Sequence, residues 1–327
     1  MYMGNHETDM RKRLFPLTIV TSLLGVMGLL LTGCHPCVYE DLSDCPQIVR
    51  LQMQYADPCG GSVTDKYAPL AKGRDFRVMA FRTDGSMVKL ELPDGATAPT
   101  KASSFCDVVV REYGKLTFVS LLAEDFTPYR LDEVTSIDQL LLALETTPQT
   151  RADLPEIWYG ISDKYDNTDY SSRGTIPDTL LMGMEEKLHT LNFSVKGLPA
   201  GAYTLEVTTP ENALLANGLP QSGEVSYRQP LHVVGDKAVG TVSMDLFRIA
   251  ADRAAETKLT LSDSEGKVLY RTTFGDYFHL TPQTKASFCQ RNIDMSVELE
   301  PTDQGTWMMV AVTVKQWNLV YRNVKLK

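Results

Sequence analysis

This sequence lacks the usual marks of an enzyme. It has no Gly-x-Ser-x-Gly elbow, no His-Glu-x-x-His pair and no Gly-x-x-x-x-Gly-Lys phosphate loop, which excludes the common hydrolase, zinc-protease and nucleotide-binding patterns. Histidine is scarce: His6, His35, His189, His232 and His279 are the five, and no two fall at ligand spacing on one element. Basic charge is in deficit, with 32 Lys+Arg against 41 Asp+Glu and a net charge of −9. An acidic surface neither draws nucleic acid nor grips an anionic membrane electrostatically. No cofactor, no metal and no catalytic group is therefore expected. What remains is ordinary globular material, 43% hydrophobic and 22% charged, too apolar to stay disordered.

Long apolar stretches are also rare, and the one that stands out is N-terminal. Leu14 to Leu31 carries no charge and follows Arg11, Lys12 and Arg13. A basic segment leading into an apolar one is a secretion signal by pattern, although the run just reaches the length of a transmembrane helix. It stops at Leu31-Thr32-Gly33-Cys34, the box in which a lipoprotein signal peptidase cuts before the cysteine, and no basic stop-transfer cluster follows. Residues 1–33 thus read as a lipoprotein signal peptide, 34–46 as a linker and Cys34 as the lipidated residue. One acyl chain is a marginal anchor at about 0.8 kcal/mol per buried methylene, so two or more chains on Cys34 would hold the protein on a membrane.

Removing residues 1–33 takes away three basic and two acidic side chains, leaving 29 Lys+Arg against 39 Asp+Glu. The remaining length suggests two domains, 47–185 and 186–327. Of six cysteines, lipid would consume Cys34, leaving an odd set of Cys37, Cys45, Cys59, Cys106 and Cys289. Export permits disulfides. A Cys45 to Cys59 bridge would close a loop of about 15 residues and contribute roughly 3 kcal/mol in the chain-entropy model. Spacing alone does not choose the pairing, and Cys106 and Cys289 sit in apolar surroundings that suit buried free thiols.

Past Pro46 the chain reads as strands. Val49, Leu51, Met53 and Tyr55 alternate with Arg50, Gln52 and Gln54, the period of a half-buried strand. Phe76 to Phe81, a turn at Asp84-Gly85, Met87 to Leu92, Val108 to Val110 and Leu116 to Ala123 continue the pattern. Val134, Ile137, Leu140, Leu141 and Leu144 recur at helical spacing, with Thr135 able to cap and Asp138 in the first turn, and this predicts one short helix. Residues 146–183 are polar and turn-rich and read as a long excursion. Alternation resumes at Leu191, Phe193 and Val195, turns at Gly197 to Gly201, and continues through Ile293 to Leu299 and Trp307 to Val314. Strands at this density predict an all-β sandwich architecture.

Candidate sites are weak. His35 with Cys37 offers a metal too few ligands. Asp163, Asp166, Asn167 and Asp169 have the composition of a calcium loop without its spacing, which suits a solvated loop. Many carboxylates are present, but nothing selects a glycosidase pair. Trp158, Tyr159, Tyr165 and Tyr170 are either a sugar-binding platform or loop packing. Thr100 to Cys106 echoes Thr284 to Cys289, but the copies fall at different distances from the two domain starts and do not form a repeat.

The segment Cys34 to Pro46, Cys-His-Pro-Cys-Val-Tyr-Glu-Asp-Leu-Ser-Asp-Cys-Pro, runs straight into the alternating strand. In this it resembles the start of the FimB-type fimbrial anchor lipoproteins of Bacteroidales, and the two β regions extend the resemblance over nearly the whole chain. The resemblance implies two tandem transthyretin-like β-sandwich domains, and an outer-membrane lipoprotein that holds a fimbria at its base and limits its growth. It also implies that Val49 to Tyr55 stays in place and fills the groove that shaft subunits open by proteolysis. Partners would be shaft subunits, through β-strand addition, and outer-membrane lipid, through Cys34. Trp307, Met309, Ala311, Thr313, Trp317 and Leu319 would belong to a segment offered to the next subunit, the alternative being ordinary sandwich strands. Anchor and tip subunits share these features, and a lipidated tip adhesin or glycan-binding module, using the Trp158 to Tyr170 region, is the other reading.

Overall fold

The structure, a computed structural model, describes residues 46–56, 59, 75–91, 105–145, 153–168, 178–235, 239–277, 289–302, 307–314 and 319–322. The all-β expectation holds. The strands are β1 (Gln47–Tyr55), β2 (Asp75–Arg82), β3 (Met87–Val88), β4 (Phe105–Val110), β5 (Gly114–Ala123), β6 (Tyr129–Leu131), β7 (Leu140–Leu144), β8 (Ile157–Ile161), β9 (Tyr165–Asn167) and β10 (Asp178–Glu186). They continue with β11 (Leu188–Lys196), β12 (Gly201–Leu215), β13 (Pro220–Val233), β14 (Val239–Phe247), β15 (Lys258–Asp263), β16 (Val268–Thr273), β17 (Asn292–Pro301), β18 (Trp307–Val314) and β19 (Leu319–Arg322). Helix among the described residues is confined to two short turns, Ala254–Glu256 and Phe274–Tyr277.

Three sheets result. The first runs β3-β2-β5-β8-β10-β1-β4, with β9 on β5. The second runs β16-β15-β12-β7-β6, with β13 along the other edge of β12. The third runs β14-β11-β17-β18-β19. β12 is the strand shared most widely. Tyr203 to Thr208 pair with β15, and Ala213 to Leu215 pair with β7, so strands from both halves of the chain lie on one ladder edge.

Burial follows the period-two pattern because each sheet has a core side. Val119, Leu121, Tyr159, Leu142, Leu144, Leu214, Leu191, Phe193, Tyr227 and Val297 belong to one continuous buried cluster that crosses the two halves. Val49, Leu51, Met53, Val108, Phe118, Leu122, Trp158 and Met182 form a second cluster, and alternate residues of β5 and β8 divide between the two. Gly85 and Gly197 show why the backbone needs glycine at particular turns. Gly85, in the predicted Asp-Gly turn, has φ +83°, and Gly197 has φ +89° with no room for a Cβ beside the Leu299 carbonyl.

Two expectations are corrected. The predicted helix around Val134 to Leu144 is a turn followed by β7, in which Gln139 Oε1 accepts from the Thr135 amide at 2.6 Å in place of a helix cap. β7 has β6 on one side and β12 on the other, and four of its five residues are buried. A strand covered on both faces loses its alternation, and a short apolar run then looks the same as a buried helix. Residues 146–183 are likewise more than an excursion, since they contain β8, β9 and the start of β10.

Candidate assembly site

β1 is an interior strand. It pairs in parallel with β10, from Val49 opposite Asp178 to Tyr55 opposite Met184, and antiparallel with β4, from Gln47 opposite Val110 to Gln52 opposite Phe105. Its core face is the one named by the alternation: Val49 and Leu51 are fully buried and Met53 nearly so. Tyr55 meets Trp158 edge to face at 5.6 Å. On the other face Arg50 sits directly opposite Asp107 and donates to both carboxylate oxygens at 2.8 Å, with its guanidinium 4.4 Å above the Phe105 ring. This fixes register, because a slip of one residue would bury Arg50 and expose Leu51.

The cysteine expectation is corrected. Cys59, just beyond β1, is bonded to Cys289, just ahead of β17, across 230 positions of sequence. Cys59 therefore does not pair with Cys45, which lies outside the described residues, and Cys289 is no free thiol. Cys106 is free and buried, its thiol pushed up to about 11 by burial and by neighbouring Asp107. Sequence reading had no means to pair Cys59 with Cys289, because only the fold makes them neighbours.

Beside the disulfide lies a charged junction that sequence reading missed. Arg291 reaches Glu186 at 2.5 Å and Glu156 at 3.3 Å. Arg248 donates to the carbonyls of Glu186, at 2.7 Å, and Cys289. These contacts join the ends of β8 and β10 to β14 and β17. Burial pushes the Glu186 carboxyl up to about 7, while Arg291 and Arg248 oppose the shift and Glu156 and Asp245 add to it. No motif marks these residues. They are isolated charges at strand ends, assembled by the fold.

The other terminus is different. β18 pairs antiparallel with β17 and with β19, and β19 is the rim of the third sheet. The predicted single face of Trp307, Met309, Ala311 and Thr313 is broken by a bulge in β18, where Glu298 pairs with Ala311 and Leu299 with Met309, so that Val310 is the extra residue. Met309 packs against the core and Val312 is buried, whereas Ala311 and Thr313 are half-buried. Trp317 lies outside the described residues, and Leu319 begins β19. Thr313 also borders an open groove of ≈ 420 Å³ on the outer face of this sheet, lined by Asn192, Ser194, Thr241, Ser243 and Asp294. Asn192 donates to Asp294 at 2.7 Å and accepts from Ser243 at 2.9 Å.

The four aromatics do not assemble into an exposed platform among the described residues. Trp158 and Tyr159 point to opposite faces of β8, each 3% exposed, because each face is covered by one of the two buried clusters. The Tyr159 hydroxyl donates to the Ala216 carbonyl at 2.9 Å. Tyr165 packs edge to face on Phe118 and donates to Asp178, and Tyr170 lies outside the described residues. Asp166 accepts from Thr168 in a local turn and Asn167 is buried, donating to the Glu112 carbonyl, so these residues serve a turn. Leu31, Thr32, Gly33 and Cys34 also lie outside the described residues.

The family model of fimbrillin-A associated anchor proteins Mfa1 and Mfa2 matches residues 42–323. No curated protein matches the chain by sequence. Among solved structures, the fimbrial anchor protein Mfa2 of Porphyromonas gingivalis is similar at a TM-score of 0.67 and 16% identity, over 85% of this chain and 100% of that one. A candidate polysaccharide-binding protein of Bacteroides thetaiotaomicron follows at 0.62 and 15%, over 85% and 99%. A candidate adhesin of Bacteroides ovatus gives 0.58 and 12%, over 86% and 96%. At these identities the likeness is one of fold.

Proposed function

Since the chain belongs to the family of fimbrillin-A associated anchor proteins, we propose that it is a lipid-anchored outer-membrane protein which holds a fimbria at its base and ends its growth there. The observation that carries this reading is the place of β1, which is intact, interior and hydrogen-bonded on both sides. A subunit that accepts a strand from a neighbour must have an open slot. Here the slot between β10 and β4 is filled by the chain's own first strand, which leaves no vacancy at that position.

β1 also starts close to the proposed lipid. The segment His35 to Pro46 separates Cys34 from Gln47, and at roughly 3.3–3.6 Å per residue it reaches at most about 45 Å. Acyl chains on Cys34 would thus keep the start of β1 within that distance of the membrane surface. At the opposite terminus β19 has a ladder on one side among the described residues, and its outer edge suits β-strand addition by a shaft subunit. The protein's work in this reading is attachment, with no chemical step.

Replacing Cys34 by alanine and fractionating cells tests the reading. The expected result is loss of the protein from the outer membrane and release of fimbriae, longer than usual, into the medium. Fimbriae that stay attached to cells carrying C34A would overturn it.

A further inference from the structure

The Cys59–Cys289 bond joins the chain just past β1 to the chain just before β17, and so divides it into a short covalent route and a long one. Resting on the anchor reading above, we infer that this bond carries the tension borne by the protein. Tension between lipid at Cys34 and a fimbria held at the C-terminal sheet passes through β1, across the disulfide and into β17, and bypasses residues 60–288.

The geometry suits that route. β1 and β17 are strands, already near the limit of chain extension, so they transmit tension with little slack. β17 is interior to its sheet, parallel to β11 from Asn292 to Glu298 and antiparallel to β18, so force entering it spreads into ladders on both sides. The crossing point is braced as well. Arg291, between Cys289 and β17, holds Glu156 and Glu186, and Arg248 holds the Cys289 and Glu186 carbonyls. Without the bond the same tension must run through β2 to β16 in series. That path includes hairpins such as β15–β16, whose hydrogen bonds can be peeled one at a time, and on the order of 800 Å of chain could be drawn out.

Cutting the long route tests this without disturbing either cysteine. The turn of the β15–β16 hairpin is exposed from Ser264 to Lys267 and suits insertion of a protease site between Glu265 and Gly266. Whole cells carrying the insertion are treated with the protease, with or without a membrane-impermeant reductant, and placed under flow; uncut cells under the same reductant control for effects on the shaft. The cut, oxidised protein is expected to keep its fimbriae under flow as the uncut protein does, and the cut, reduced protein to shed them. Shedding by the cut, oxidised protein, or retention by the cut, reduced one, overturns the inference. If uncut, oxidised cells hold no fimbriae even at rest, it is the anchor reading that fails, and the load path fails with it.

Discussion

β1 lies between β10 and β4 with ladders on both edges and Val49 and Leu51 fully buried, whereas among the described residues β19 is paired with β18 alone and forms the rim of its sheet. An interior strand cannot leave without opening the core and unpairing two neighbours. A rim strand can be lengthened, exchanged or extended by another chain with little change to the core. The two ends of this molecule are therefore unlike in what they permit, one closed and one open, and that asymmetry is what the proposed place at the base of a fimbria requires.

Four measurements would break or sharpen the contrast. The largest effect is expected from freeing the closed end of its covalent tie. Replacing Cys59 and Cys289 together by serine removes a link across 230 positions, which in the chain-entropy model contributes about 5 kcal/mol, read as a fall in the urea midpoint. Next comes the core face of β1. Leu51→Ala deletes a fully buried side chain and should cost about 3 kcal/mol. A loss under about 1 kcal/mol would mean that β1 is only loosely seated.

The junction between the two regions should respond to pH. Burial raises Glu186 from 4.5 to about 7, so across that window the folded chain holds a proton that the unfolded chain has released. Stability should then fall as pH rises from about 4.5 to 7, by up to about 3 kcal/mol. Glu186→Gln should flatten that dependence in urea titrations. An unsubstituted chain that is already flat would mean that Arg291 keeps the carboxylate ionised. The smallest stability effect is expected at the open end. Truncation after Val314 removes β19 and should barely move the urea midpoint, yet abolish co-purification with shaft subunits. If the midpoint drops as far as in Leu51→Ala, β19 is a structural strand and the contrast collapses.

Much of the first sheet was legible because it depends on local pattern. The alternation of Val49, Leu51 and Met53 names a face whatever that face packs against, and the Asp84-Gly85 turn needs only its own backbone. The same logic misled at Leu140 to Leu144, where coverage on both sides erased the period that distinguishes strand from helix. At Trp158 and Tyr159 it left a binding platform and packing both open, and the structure chose packing. They lie in a stretch, 146–183, that is polar and turn-rich overall, but in space both faces of β8 are covered, Trp158 joining one buried cluster and Tyr159 the other.

The sequence by itself determined the all-β character, the core face of β1 and an N-terminal segment with the form of a lipoprotein signal. Each depends on residues within a few positions of one another, so periodicity and short motifs carry it. Tertiary structure alone decided that Cys59 meets Cys289, that β12 carries strands from both halves, and that Arg291, Arg248, Glu156 and Glu186 gather at one junction. Those contacts join residues tens to hundreds of positions apart. Their free energy appears only after the chain has closed the intervening loops, and no local pattern records which closures the folded state chooses.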